Sequence, residues 1–157
     1  MRIAAQHQPN STVVADVLNL PHPCGTFDFA ISIAVIHHLS TFQRRIQAIK
    51  AILDTLRPPS SGTEGGKALI YVWALEQKDS RRGWDKGDQQ DVMVPWVLKS
   101  KTQANVLKDQ ETKVYHRYYH LYEESELQRD IQEAGGLIVQ AGYEKDNWWA
   151  IATRAPK

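Results

Sequence analysis

The run at residues 68–74 (ALIYVWA) constrains the fold most strongly, because almost every side chain in it is apolar. A short apolar run without polar alternation is typical of a strand that is covered on both faces, as in the sheets of α/β proteins. A second apolar run at 27–35 follows a proline-rich turn, and a β-branched run occupies 12–15. Strands are therefore predicted at all three places.

A helix is predicted between the second and third of these strands. Apolar residues recur there at steps of three and four, which places them on one face of a helix. They are Phe42, Ile46, Ile49, Ile52, Leu53 and Leu56. Ser40 or Thr41 suits the N-cap, whose side-chain oxygen accepts a backbone N–H, and Pro58 with Pro59 closes the segment.

The second half of the chain continues the alternation of helices and strands. Residues 58–66 form a loop of proline, serine and glycine, and residues 123–134 predict a helix that ends at two glycines. Residues 137–142 and 148–153 predict a strand pair or hairpin. Together these elements indicate one α/β domain with a largely parallel sheet.

Composition narrows the class of protein. Hydrophobic residues make up 42% of the chain, enough for a core, and the net charge of +1 means that any nucleic-acid contact needs a local basic surface. Cys24 is the one cysteine, so the chain has no internal disulfide and no zinc site built from cysteines alone. No apolar stretch reaches the ~18 residues of a membrane helix, so no membrane contact is expected. A cytoplasmic protein is predicted, with the nucleus as a second location.

Residues 77–116 depart from the alternating pattern. They separate a strand from a helix by far more than an ordinary connection, which suggests an insertion on the substrate side of the domain. Within it, residues 97–113 carry few apolar residues and several lysines, so this part is expected to be mobile. The flanking runs SRRGW (80–84) and VMVPWV (92–97) mix arginine and tryptophan.

Two adjacent histidines, His37 and His38, follow the apolar run at 27–35. Ligands of α/β sheets bind outside the carboxyl ends of the strands, and this rule places Asp16, His37 and Glu76 at one rim. One interpretation is that one ring packs under the sheet while the other faces water. The other is that the strand delivers both rings to a ligand. No third ligand lies at zinc-like spacing, so no metal site is predicted.

Several motifs resemble those of class I S-adenosylmethionine-dependent methyltransferases. These are ADVLNLP (15–21), TFDFAISIAVIHHLS (26–40), ILDTLRP (52–58) and GGKALIYVWALEQ (65–77). A second set is similar to the fungal tRNA wobble-uridine carboxymethyl methyltransferases and to the animal methyltransferase domain fused to an oxygenase. It comprises SRRGW, QDVMVPWV (90–97), RYYHLY (117–122) and GYEKDNWWAIATR (142–154).

The resemblance implies a Rossmann-like sheet and transfer of a methyl group from S-adenosylmethionine to the carboxylate of 5-carboxymethyluridine in the tRNA anticodon loop. It also implies a heterodimer with a small zinc-binding activator subunit. The family's first two strands and its glycine-rich cofactor loop have no counterpart here, so residues 1–157 are expected to be the C-terminal two-thirds of the domain. The chain alone is then expected to be inactive. The strand at residues 11–15 (Ser11, Thr12, Val13, Val14 and Ala15) is expected to pair with the activator by strand addition.

A carboxylate has a pKa of about 4 and is already a nucleophile at neutral pH, so the reaction needs positioning and cations instead of a general base. Arginine binds carboxylates through two N–H groups, which favours Arg81 and Arg82 as catalytic and substrate-binding residues. A solvated loop is the alternative for this pair. By resemblance, His37 and His38 line the methyl-transfer site.

The resemblance assigns the remaining site residues. Cofactor contacts are expected from Asp16, Val17, Leu18, Ala34, Val35 and His37. Substrate contacts are expected from Arg81, Arg82, Tyr118, Tyr119, His120, Lys145, Asn147 and Trp148. Unpaired bases stack on aromatic faces, which suits the cluster of Tyr115, Arg117, Tyr118, Tyr119, His120 and Tyr122. Core or surface packing is the alternative for each aromatic ring. Lysines 99, 101, 108 and 113 suit phosphate contacts or a solvated loop.

Two other functions remain open from the sequence. One is a class I methyltransferase that acts on a small-molecule acid. The other is a methyltransferase-like scaffold that binds a partner or RNA without catalysis. Cofactor binding by the chain separates the scaffold from the enzymes.

Overall fold

A computed structural model describes residue 6 and residues 12–78, 82–97 and 114–156. Within these ranges a sheet has the strand order β1-β2-β6-β5. Its strands are β1 (Phe29–Ile33), β2 (Lys67–Trp73), β5 (Gly136–Glu144) and β6 (Asn147–Arg154). The pair β1 and β2 is parallel, whereas β6 is antiparallel to both β2 and β5. The predicted α/β sheet is confirmed, but within the described residues its pairing is mixed and not largely parallel. The tight turn between β5 and β6 forces those two strands to pair antiparallel, as predicted for this strand pair.

Two helices cover the sheet and confirm the predicted helices, with small shifts at their ends. Helix α1 (Phe42–Thr55) begins at Thr41, whose hydroxyl oxygen accepts the Arg44 N–H at 3.3 Å. Its apolar stripe enters the core from Ile49 onwards, while Phe42 stays exposed. Helix α2 (Glu126–Glu133) buries Leu127 and Ile131 against the same core. Neither helix is long and apolar enough to cross a membrane.

The region 77–116 contains a second sheet that the sequence did not predict. Strands β3 (Asp91–Val97) and β4 (Val114–His120) pair in antiparallel register. Their valines and tyrosines favour strands, and Val94 and Tyr119 bury themselves in a small apolar cluster with Leu75 and Leu121. Val97, predicted to be mobile, ends β3, whereas residues 98–113 lie outside the described residues.

The predicted strand at 12–15 does not form. These residues have no regular secondary structure, and Val13 and Val14 are 55% and 69% exposed. A strand needs a neighbouring backbone for its hydrogen bonds, and within the described residues β1 pairs with β2 alone. Ser11 lies outside the described residues.

A charged cluster fastens the β3–β4 sheet to the helices. His120 of β4 is buried, with Nδ1 2.8 Å from Asp91 Oδ1 and Nε2 2.7 Å from Glu126 Oε1. Arg45 of α1 lies 3.7 Å from the same Glu126 oxygen and 3.6 Å from Asp130 Oδ2. Carboxylate oxygens only accept hydrogen bonds, so both ring nitrogens of His120 carry a proton and the ring is a cation.

The pKa values of the cluster agree with this assignment. Burial by itself would lower the pKa of His120, but its hydrogen bonds to Glu126 and Asp91 raise it above the ordinary value. Burial opposes ionisation of Glu126 and Asp91, yet the hydrogen bonds that they accept lower the pKa of both carboxyls. Burial raises the pKa of Asp130. The cluster is therefore a cation held between two carboxylates.

We expect the free energy of unfolding to depend on pH through this cluster. The raised pKa of His120 contributes stability below about pH 6.5, which is lost as pH rises through the folded-state value. The lowered pKa values of Asp91 and Glu126 contribute stability above about pH 4.5, which is lost in acid. Buried His37, whose pKa is lowered to about 3, also contributes stability that is lost as pH falls below about 6.5, so urea unfolding from pH 4 to 9 should show maximal stability at about pH 6.5.

The variant His120→Gln keeps hydrogen bonding without the titratable ring and is expected to flatten the alkaline side of this profile. The control His22→Gln changes an exposed histidine outside the cluster and should leave the profile unchanged. If the free energy of unfolding of His120→Gln still falls as pH rises above about 6.5, the assignment of the positive charge to His120 is wrong.

Candidate functional site

A strained turn after β1 sets the positions of the two adjacent histidines. Ala34 adopts a φ of 58°, a left-handed conformation that costs a residue with a Cβ about 1–2 kcal/mol. The chain then enters a short 3₁₀ turn, Ile36–His38, which buries Ile36 and His37. Strain of this kind persists where surrounding structure enforces it, and such positions cluster at functional sites.

His37 is fully buried and cannot contact a substrate. Its Nδ1 accepts the Trp73 backbone N–H at 3.0 Å, so its proton lies on Nε2. Burial, with smaller contributions from His38 and His120, lowers the pKa of His37 to about 3, and the ring is neutral. The predicted catalytic and cofactor roles of His37 are therefore corrected: it is a packing residue between Trp73 and Tyr119.

His38 is the histidine that faces a cavity. Its Nδ1 lies 2.9 Å from the Tyr118 carbonyl oxygen, which can only accept, so Nδ1 carries the proton. Nε2 is therefore the ring nitrogen that can accept a hydrogen bond when it carries no proton. His38, Arg117 and Tyr118 line an open groove of about 400 Å³. The paired histidines thus hold opposite tautomers and have different environments.

The β4 tyrosines and His120 divide between groove and interior. Tyr119 is buried and stacks on Trp73, with ring centroids 4.3 Å apart at 15°. Both ring nitrogens of His120 hold carboxylates, so the substrate contacts predicted for Tyr119 and His120 are corrected to structural roles. The Tyr118 hydroxyl donates to Asp91, while burial and then that carboxylate raise the pKa of Tyr118 to about 12.

Arg82, Lys145 and Asn147, which are all predicted to contact the substrate, line one polar pocket. The pocket has a volume of about 260 Å³ and is completed by Trp73, Gln77 and Asp146. The Arg82 guanidinium also lies 5.4 Å from the centroid of the Trp84 ring. Two cations, two amides and the Asp146 carboxylate line this pocket at the carboxyl end of β2, and the remaining net positive charge suits a carboxylate ligand. Arg81 lies outside the described residues.

The β5–β6 turn that carries Lys145 is strained. Lys145 and Asp146 have φ values of 45° and 62°, a conformation that hairpin turns usually assign to asparagine or glycine. The Asn147 side-chain amide donates to the Lys145 carbonyl at 2.6 Å and helps to fix the turn. The Tyr143 hydroxyl, 2.7 Å from the Glu76 carbonyl oxygen, ties the same turn to the end of β2.

Trp148 lies in a neighbouring cavity instead of the polar pocket. Its indole N–H donates to Glu76 Oε2 at 3.4 Å, and both residues line a cavity of about 390 Å³ with Tyr143 and Lys78. Trp148 therefore lies outside the polar pocket, and its predicted substrate contact stays a prediction. Glu76 follows β2 and His37 follows β1, and because these strands are parallel neighbours both residues lie beyond the same edge of the sheet, as the sequence predicts.

Some of the predicted cofactor residues line a groove beside β1, and others do not. Val17 and Val35 line a mainly apolar groove of about 340 Å³ beside β1. Asp16 is exposed, and its Oδ1 accepts the Leu18 N–H at 3.0 Å. Leu18 is partly buried and packs against the core, and its predicted cofactor contact stays a prediction. An apolar groove of this kind fits an adenine ring, whereas Asp16 and Ala34 are not among the residues that line it.

The sequence did not single out Trp73, Gln77, Trp84 or Trp96. The sequence feature that could have indicated Trp73 is its place near the end of an apolar strand. The feature that could have indicated the contact between Arg82 and Trp84 is the run Arg-Gly-Trp. Trp96 lay next to a segment expected to be mobile. In the described ranges, no group of three histidine, cysteine, aspartate or glutamate side chains suits a metal ion.

Known proteins similar to this chain are methyltransferases. The family profile described as "Methyltransferase domain" matches residues 1–60. The chain is 47% identical to the tRNA (carboxymethyluridine(34)-5-O)-methyltransferase of Schizosaccharomyces pombe, over 90% of this chain and 63% of that protein. It is 40% identical to the protein of the same name from Saccharomyces cerevisiae, over 90% of this chain and 67% of that protein.

The chain thus spans about two thirds of the length of these curated relatives. Among solved structures, the CcbJ methyltransferase of Streptomyces caelestis superimposes with a TM-score of 0.69 at 11% identity, over 98% of this chain and 73% of that one. The likeness at this low identity concerns the fold, which is that of an α/β methyltransferase with part of its sheet.

Proposed function

The chain belongs to the class I S-adenosylmethionine-dependent methyltransferase family that includes the tRNA (carboxymethyluridine(34)-5-O)-methyltransferases, and we propose that it serves their reaction. The reaction moves a methyl group from S-adenosylmethionine to the carboxylate of 5-carboxymethyluridine at the tRNA wobble position, giving the methyl ester. This chain supplies the substrate side of the site. The observation that carries the proposal is the polar pocket of Arg82, Lys145 and Asn147.

The pocket matches the one charged group of such a nucleoside. A guanidinium and an ammonium neutralise the carboxylate, and the Asn147 and Gln77 side chains line the same space. Gln77 donates its amide hydrogen to the Ala74 carbonyl at 2.8 Å, which fixes its side chain. Trp73 gives the pocket one flat aromatic wall against which a pyrimidine ring can lie.

The reaction requires the chain to position the two reactants and requires no general base. S-adenosylmethionine, when bound, supplies an electrophilic methyl group on a sulfonium. The carboxylate is ionised at neutral pH and needs no base to remove a proton. Arg82 and Lys145 hold the carboxylate in one orientation, and the rate enhancement comes from the proximity and alignment of the two reactants. At the other end, Asp16 with Val17 and Val35 would hold the adenine.

We also propose that a small zinc-binding activator protein pairs with the segment around Val13 and Val14. Both β-branched side chains are exposed, and residues 12–15 belong to no strand. Such a segment gains backbone hydrogen bonds when it joins the edge of another sheet. With tRNA as substrate, the complex is proposed to work in the cytoplasm.

The first test concerns recognition of the carboxylate. An anticodon stem-loop RNA with 5-carboxymethyluridine should bind more tightly than the same RNA with the methyl ester, measured by fluorescence anisotropy. Arg82→Met and Lys145→Met should each weaken binding of the carboxylate RNA by about tenfold and leave the ester RNA unchanged, because hydrogen bonds to charged groups contribute about 1.5–3 kcal/mol. Lys86→Met removes an exposed cation outside the pocket and is the control. Equal losses for both RNAs would contradict the proposal.

The second test uses the strain at Lys145. Lys145→Gly relieves the left-handed φ and should raise the free energy of unfolding by about 1 kcal/mol. The same variant should lose the preference for the carboxylate RNA, because the ammonium is gone. Lys145→Ala loses the cation without relieving the turn, so it should lose the preference without gaining stability. If Lys145→Gly keeps the preference, Lys145 is a turn residue alone.

The third test concerns the activator. Val14→Pro removes a backbone N–H from an exposed, irregular segment and should abolish co-elution with the activator on size exclusion without lowering the melting temperature. Val14→Thr keeps the N–H and the β-branched shape and should co-elute like the wild type. Undiminished co-elution of Val14→Pro would rule out strand addition at this position.

A further inference from the structure

An aromatic and basic surface lies at the far end of the β3–β4 sheet from His120. Trp96 pairs with Tyr115 across the two strands, and their ring centroids are 6.3 Å apart. The Arg117 guanidinium lies over the Trp96 ring, 4.1 Å from its centroid. Trp96 and Tyr115 are 40% and 48% exposed. We call these three residues the aromatic platform.

The platform is continuous with the groove that contains His38. Arg117 belongs to both, since it also lines the groove of about 400 Å³ with His38 and Tyr118. A flat group in this groove would meet the guanidinium, which is itself backed by the indole of Trp96. It would also meet His38 Nε2, which accepts a hydrogen bond because Nδ1 donates to the Tyr118 carbonyl.

Charge indicates what kind of molecule suits this surface. Residues 92–97 and 114–119 contain no aspartate or glutamate. No carboxylate pairs with Arg117 among the described residues. Solvent-exposed tryptophan and tyrosine beside such an arginine therefore favour a flat, anionic ligand, and single-stranded RNA supplies both the planar base and the phosphate.

We propose that the groove binds the nucleobase next to the modified uridine, stacked on Arg117 and donating an exocyclic amine to His38 Nε2. The phosphate of that nucleotide faces the platform. This proposal rests on the proposed function for the identity of the RNA, and it adds a second base site that is separate from the carboxylate pocket. His38 is then a specificity-determining residue that favours adenine, guanine or cytosine over uracil.

Binding of anticodon stem-loops tests the platform independently of the carboxylate pocket. Trp96→Leu and Arg117→Met should each weaken binding of both the 5-carboxymethyluridine RNA and its methyl ester by about tenfold, since base stacking on such side chains contributes on that order. Trp96→Phe keeps a ring and should retain most of the affinity. Arg129→Met removes an exposed cation from α2, away from the groove, and should bind like the wild type. Wild-type affinity in Trp96→Leu and Arg117→Met would overturn the proposal.

Base identity tests the role of His38. Replacing the neighbouring base by uracil should weaken wild-type binding by about fivefold, as expected for loss of one hydrogen bond. His38→Phe should abolish this difference, and His38→Gln, which still offers an acceptor, should restore part of it. A uracil penalty that persists in His38→Phe would refute the contact.

A fluorescent base reports stacking directly. The fluorescence of 2-aminopurine at the neighbouring position should change on binding the wild type, because the base stacks on Arg117, and should change less on binding Arg117→Met. An equal change in this variant would count against the stack. If wild type binds the carboxylate and ester RNAs equally, the proposed function fails while the stacking results still decide the platform.

Discussion

The stack of Trp73 on Tyr119 joins the two sheets, and the candidate site depends on it. The ring of Trp73 packs on Tyr119 of β4, and the backbone N–H of Trp73 donates a hydrogen bond to Nδ1 of buried His37. Its carbonyl accepts the Tyr122 N–H at 2.9 Å, which ties β2 to the segment that precedes α2. Trp73 also lines the polar pocket. One residue at the end of a core strand therefore sets the distance between the pocket, the histidines and the β3–β4 sheet.

The sequence predicted the elements whose pattern is local. The three- and four-residue steps of α1, its Thr41 cap and the apolar run of β2 require no knowledge of distant partners, and the structure confirms them. The β3–β4 sheet escaped prediction, because its strands are joined by a long lysine-bearing segment and depend on distant partners such as Leu75 and Glu126. The strand predicted at 12–15 failed for the opposite reason: its residues favour a strand, but within the described chain no neighbouring strand receives it.

Side-chain roles were less predictable than elements. His37 and His38 are neighbours in sequence, yet one accepts a backbone N–H inside the core and the other donates to a carbonyl at a groove. That difference comes from the strained Ala34 turn, which no pattern of residue types reveals. Similarly, His120 was predicted to contact the substrate because it lies in an aromatic run. Its carboxylate partners come from β3 and α2, which lie outside that run, so the run alone does not indicate its structural role. Arg82, Lys145 and Asn147 were assigned by resemblance, and the fold brings them together.

The β3–β4 sheet is held at one end and projects from there. His120 and Asp91 fix the inner end, and the strands continue to Val97 and Val114 at about 3.4 Å per residue. The outer end therefore lies about 20 Å from the fixed one. Trp96 lies about 17 Å from Asp91 along β3, so a pivot of about 5° at the inner end would move it by about 1.5 Å. A movement of this kind would displace the aromatic platform while the pocket beside Trp73 keeps its shape.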